Sequence, residues 1–145
     1  TNTAHVIMNE INIFEDMFKS SITGNIIITD TNDIVSKVGY DLLAWMQTKP
    51  IRIQVKATQR PHYDKGKSVA RYNFQTNFGG QKTPISKVQC DVLALVALDK
   101  RLIYFMLPDN LKSTKKIYEE QMTLDNERVT FAEVFDTLRK VGTCL

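Results

Sequence analysis

The run Val92-Leu-Ala-Leu-Val-Ala-Leu98 carries no polar side chain and is bounded by Asp91 and Asp99. It is far shorter than the roughly 20 residues needed to cross a bilayer as a helix. A strand exposed on one face alternates apolar and polar residues, whereas one covered on both faces reads as a continuous apolar run. This run therefore predicts a strand inside a sheet that other elements cover on both sides. It begins a hairpin, 90–99 with 101–107, whose second arm is Leu102-Ile-Tyr-Phe-Met-Leu-Pro108 with a two-residue turn between.

A second strand reads differently. In Ile51-Arg-Ile-Gln-Val-Lys56, alternation puts Ile51, Ile53 and Val55 on one face and Arg52, Gln54 and Lys56 on the other. An amide and an ammonium side by side opposite a clean apolar face point to a shared task. The preceding apolar run, Tyr40 to Met46, contains Asp41, and Gln47-Thr-Lys-Pro50 separates the two. If Thr48-Lys49 form a two-residue turn, facing residues have numbers summing to 97. Asp41 then lies across from Lys56 and diagonal to Gln54, all on one face. A carboxylate, an amide oxygen and an ammonium gathered there would suit a divalent metal and a phosphate. Taken singly, Lys56 reads as a snorkelling surface lysine and Gln54 as a ladder-edge amide.

The pattern Asp41-x12-Gln54-x-Lys56 resembles the PD-(D/E)XK nuclease superfamily, and most of all its branch where glutamine replaces the second acid, as in some homing and phage-type endonucleases. The resemblance covers about residues 4–108, and the 90–107 hairpin agrees with it. No proline precedes Asp41, and Gln54 cannot supply the negative charge of the acid it replaces. The resemblance implies a restriction-endonuclease-like α/β (α+β) core, a central mixed sheet flanked by helices, with C-terminal helices beyond 108. It implies Asp41, Gln54 and Lys56 as catalytic residues, with a glutamate from the first helix. Glu10 is the candidate for that role, with Glu15 as fallback. Residues 4–22 lack Gly and Pro and read as a helix, and Glu10 falls within the stripe of Val6, Ile13 and Met17. The cofactor implied is Mg2+, or Mn2+ in its place, held by Asp41, the Gln54 oxygen and the main-chain carbonyl of Val55, with Glu10 acting from behind the ligands. Lys56 would orient the attacking water or neutralise the phosphate in the transition state.

Charge is unevenly spread. Between residues 56 and 82, six basic residues (Lys56, Arg60, Lys65, Lys67, Arg71, Lys82) face one acid, Asp64; residues 1–41 hold six acids against Lys19 and Lys37. An acidic end beside a basic tract suits a polyanion drawn to the one and cut at the other. Within the tract, Arg71, Asn73, Gln75 and Asn77 alternate with Tyr72, Phe74 and Thr76. Arg, Asn and Gln make bidentate contacts with guanine and adenine edges, so this segment reads as a base-reading strand. The Gly-Gly loop after it carries Gln81 and Lys82, giving a duplex-binding set of Arg60, Lys65, Lys67, Arg71, Asn73, Gln75, Asn77, Gln81 and Lys82.

At 145 residues, with 43% hydrophobic and 24% charged residues, the chain reads as one soluble domain: a core about 4–108 and a helical extension about 109–145. No membrane span or signal-peptide layout is legible, so a cytoplasmic location is expected. Cys90 and Cys144 read as reduced, and no metal set can be built from His5 and His62. The remaining expectations are strands at 25–30, 39–46, 50–57 and 68–77, a loop at 58–67, a short turn or helix at 84–89 and a helix from 110 to 121. A last helix is predicted to open at the box Thr130-Phe-Ala-Glu133 and to end near Gly142. A small chain with one site would need a second copy to cut both strands of a duplex, so a homodimer or larger symmetric assembly is expected. The functional expectation is a sequence-specific DNA endonuclease. The alternatives are a junction-resolving nuclease and a non-catalytic DNA-binding module with a decayed metal site.

Overall fold

The computed structural model describes residues 26–30, 42–46, 49–77, 83–87 and 90–143, with side chains from residue 50 to 140. The expected helix over 4–22, and with it Glu10 and Glu15, lies outside the described residues, as do Asp41, Gln81 and Lys82. The architecture is mixed α/β. Among the described residues, eight strands form two sheets, followed by a long helix. The strands are β1 (Ile26–Asp30), β2 (Leu42–Met46), β3 (Lys49–Thr58), β4 (His62–Tyr63), β5 (Ala70–Gln75), β6 (Val92–Ala97), β7 (Leu102–Met106) and β8 (Thr114–Tyr118). The helix is α1 (Leu124–Thr143), preceded by a single 3-10 turn, Glu119–Gln121.

The main sheet has the order β1-β2-β3-β6-β7; every neighbouring pair is antiparallel except β3 with β6. The apolar run at 92–98 becomes β6, buried at every position, for the reason its composition gave. Val92, Ala94 and Val96 face one core, with Ile51, Ile53, Val55, Ile103 and Phe105 from the sheet and Phe131, Val134 and Phe135 from α1. Leu93, Leu95 and Ala97 face a second core, with Tyr72, Phe74 and Ile117 from the smaller sheet. That sheet, β4-β5-β8, covers the side of the main sheet away from α1. The link from β6 to β7 is the four-residue turn 98–101 rather than the expected two-residue one, because Ala97 already pairs with Leu102, and Arg101 is at φ 55° in the left-handed region.

Three further expectations are corrected. The segment 110–121 is not a helix but contains β8, antiparallel to β5, with Tyr72 paired to Ile117. Thr114, Ile117 and Tyr118 suit a strand, and β5 without this neighbour would leave a bare edge. The last helix opens at Thr123, whose Oγ1 accepts from Asn126 N at 3.2 Å, rather than at Thr130. Thr130 sits inside the helix, donates to the Asn126 carbonyl at 2.7 Å and accepts from Phe105 N at 3.2 Å. Glu127 Oε1 likewise accepts from Ile103 N at 2.8 Å. The helix thus closes the outer edge of β7 with two side chains and removes an edge open to strand addition. The third correction is the β2–β3 register, in which facing numbers sum to 95, as in Leu42 with Ile53, not 97. The connecting residues are Gln47 and Thr48, because Lys49 already pairs with Met46. The two sums differ by two, so the strand faces are unchanged.

Candidate functional site

β3 carries the two residues the sequence singled out. Ile51, Ile53 and Val55 are buried under α1, whereas Arg52, Gln54 and Lys56 are partly buried on the opposite face. That face is shared with Leu93 and Leu95, the β6 partners of Gln54 and Lys56. Gln54 and Lys56 therefore lie beside the smaller sheet, at the end of β3 that runs on into the 58–67 segment.

Arg52, the third member of the face, has a structural task. Asp91 Oδ2 accepts from Arg52 N at 2.8 Å and from Arg52 Nε at 3.1 Å, while Oδ1 accepts from Nη2 at 3.2 Å. Asp91 N returns a bond to the Arg52 carbonyl at 2.9 Å, and Arg52 Nη2 also donates to the Lys87 carbonyl at 2.8 Å. A bidentate guanidinium–carboxylate pair with this backbone support fixes β3 against the start of β6. The Lys56 side chain, by contrast, makes no hydrogen bond or ion pair among the described residues. Gln54 and Val55 do have interaction partners.

The backbone of β3 is oriented by the same bonds. The carbonyls of Arg52 and Thr58 accept from Asp91 N and Leu98 N, on the β6 side. Carbonyls alternate between the two edges of a strand, so that of Val55 is directed to the other edge, toward β2. The Gln54 side-chain oxygen and the Val55 carbonyl are neutral donors of the kind Mg2+ accepts. Among the described residues no three His, Cys, Asp or Glu side chains cluster to hold a metal ion. A metal at this place would need its negative charge from elsewhere in the chain.

The expected duplex-binding residues divide among several settings. Arg60, Lys65 and Lys67 are exposed in the 58–67 segment, which includes the short strand β4. Arg71 is partly buried on β5 and ion-paired with Asp64. Gln75 is exposed, while Asn73 and Asn77 are partly buried, with Oδ1 atoms buried and without a hydrogen-bond partner. Asn77 lies beyond β5, in an isolated bridge with Pro84. The strand register adds residues that the sequence reading had placed on a helix. Tyr118 faces Arg71, Lys116 faces Asn73 and Thr114 faces Gln75, all three on β8 and all exposed. The alternation of Thr114, Lys116 and Tyr118 around buried Ile117 was the signal that could have revealed them.

Behind this face, Tyr72 is fully buried and its hydroxyl lies 3.0 Å from both carboxylate oxygens of Asp99. Burial, then its hydrogen bond to Asp99, pushes the phenol well above its usual range. Lys100 Nζ lies 5.9 Å from the ring centroid of Tyr72. This group ties the smaller sheet to the β6–β7 turn. A cleft of about 330 Å3 between β7, α1 and Lys115 contains none of the residues singled out on β3 or β5.

No protein-family model matches the chain, and no curated protein matches it. Among solved structures, one described as a bacterial homing endonuclease is similar at 13% identity and a TM-score of 0.49, covering 78% of this chain and 71% of that one. Among the described residues, no helix is long and apolar enough to cross a membrane.

Proposed function

We propose that the chain is a Mg2+-dependent DNA endonuclease acting on duplex DNA as a homodimer or larger symmetric assembly, with Mn2+ able to replace Mg2+. One observation carries this reading. Gln54 and Lys56 share a partly buried face of a central strand, and Lys56 has no acidic partner among the described residues. An ammonium beside an amide on such a face, with no ion pair among the described residues, suits a substrate anion.

In this proposal Asp41 supplies the metal-binding charge, the Gln54 side chain and the Val55 carbonyl complete the protein ligands, and Glu10 acts from behind them. Asp41 directly precedes Leu42 in the chain, and Leu42 pairs with Ile53, the residue before Gln54. When bound, the ion would polarise the phosphodiester and lower the pKa of the attacking water. Lys56 would place its ammonium against the charge that develops on the phosphate oxygens, and a fixed cation there is already oriented when the charge appears. Arg60, Lys65 and Lys67, exposed just beyond β3, would draw the phosphate backbone toward the site. Gln81 and Lys82 belong to the same proposed duplex-binding set.

The test is cleavage of duplexes from a random library with Mg2+. Native chain is expected to enrich cut sites, and both Lys56→Ala and Asp41→Asn to cut far more slowly, by roughly 100-fold or more, while leaving the fold intact. Cleavage unchanged by either substitution rejects the site. A non-catalytic DNA-binding module is the second reading, favoured by Gln54, whose neutral amide cannot supply the charge of an acid. Duplex binding without cutting in either metal would establish it.

A further inference from the structure

We propose that β8 supplies half of the surface that reads DNA sequence, with Lys116 and Tyr118 as specificity-determining residues and the major groove of duplex DNA as their ligand. The inference deepens the proposed function and rests on its claim that the substrate is duplex DNA. It starts from the strand register. On the outward face of β5 and β8, Arg71 lies opposite Tyr118, Asn73 opposite Lys116 and Gln75 opposite Thr114. None of these six residues is a carboxylate, although Arg71 is ion-paired with Asp64, so Lys116 carries the positive charge of this face without such a pair among the described residues. The β5 members are the less accessible: Arg71 and Asn73 are partly buried, and Asn73 Oδ1 is buried. The β8 members are exposed, Tyr118 at 44% despite its apolar ring. A strand read alone would reach the groove with Gln75; the pair of strands reaches it with both edges.

The dimensions fit. Paired strands lie about 4.8 Å apart, so a two-stranded ribbon with its side chains enters a B-DNA major groove about 12 Å wide. The major groove of duplex RNA is too deep and narrow to be read by side chains, which selects DNA. Residues two apart on a strand are separated by about 6.8 Å, and base pairs rise about 3.4 Å. Successive outward rows therefore step about two base pairs, and three rows span roughly five. A lysine prefers guanine O6 and N7, while a tyrosine can donate its hydroxyl or pack against a thymine methyl.

The test is selection of bound duplexes from a random-sequence DNA pool, with Ca2+ in place of Mg2+ so that nothing is cut, followed by sequencing. Native chain is expected to enrich a motif whose strongest positions alternate. Lys116→Ala is expected to relax preference at one position by roughly tenfold or more, and Tyr118→Ala at a neighbouring row, with circular-dichroism melting unchanged in both. Motifs identical to the native one in both folded variants overturn the inference, and so does the absence of any duplex binding. The two readings fail separately. Enrichment altered by these variants, in a protein that never cuts with Mg2+, rejects the nuclease while this surface stands. Metal-dependent cutting at sites unmoved by either variant rejects the surface while the nuclease stands.

Discussion

The two faces of the main sheet differ in kind, and β3 shows it residue by residue. On the α1 side, Ile51, Ile53 and Val55 disappear under Phe131, Val134 and Phe135, and three aromatic rings interlock. On the other side, Arg52 is fixed by Asp91, Gln54 is partly buried and Lys56 has no ion pair among the described residues. One face is closed and apolar to its edge. The other leaves polar groups at the margin of a second sheet. Stability should therefore concentrate on the helix side and chemistry on the sheet side, and substitutions can separate the two.

The largest effect is expected at Phe131, which is fully buried, stacked on Phe135 at 4.4 Å and edge-on to Phe105 at 5.1 Å. Phe131→Ala should cost about 3–5 kcal/mol in urea unfolding, the usual range for emptying an aromatic site in a core. A cost below about 1 kcal/mol would show that the helix is not docked as described. Next comes the sealed edge. Glu127→Ala leaves Ile103 N without its acceptor and should cost about 1–3 kcal/mol. Glu127→Gln keeps an oxygen there and should cost less.

Tyr72 gives a smaller, pH-dependent effect on the opposite face. Its phenol is raised in the folded state, so the associated stability is present below the usual tyrosine value near 10 and is lost as pH rises toward the folded value. Melting in alkaline buffers should show the native chain losing stability above about pH 10 more steeply than Tyr72→Phe. Equal slopes would remove Asp99 and burial as the cause. The smallest stability effect is expected at Lys56 itself. Lys56→Ala breaks no bond among the described residues and should move the unfolding free energy by no more than about 0.5 kcal/mol. A large loss would make Lys56 a structural residue like Arg52.

Much of this contrast is legible in the residues alone. The uninterrupted apolar run of β6 required cover on both faces, and the alternation of β3 separated Ile53 and Val55 from Gln54 and Lys56, because each depends only on period-two geometry. The pairing of β5 with β8 was not legible. It joins segments some 40 residues apart, and three lysines at 112, 115 and 116 read equally well as the wet side of a helix. The start of α1 was misplaced because the chain offers two threonine caps, Thr123 and Thr130, seven residues apart. Only the positions of Phe105 and Ile103 decide that Thr130 and Glu127 serve the strand edge instead. The β2–β3 register differs by two residues from the expected one because Thr48-Lys49 and Gln47-Thr48 are both acceptable turns, and the face pattern is the same for either.

The most direct measurement is nicking of supercoiled plasmid DNA by native chain and by Lys56→Ala, with Mg2+ and with chelator. Native chain is expected to nick only when the metal is present. The variant, folded to the same melting temperature, should be slower by roughly 100-fold or more, the scale of losing one preorganised transition-state contact. Equal rates for the two proteins, or nicking that persists in chelator, would contradict the account.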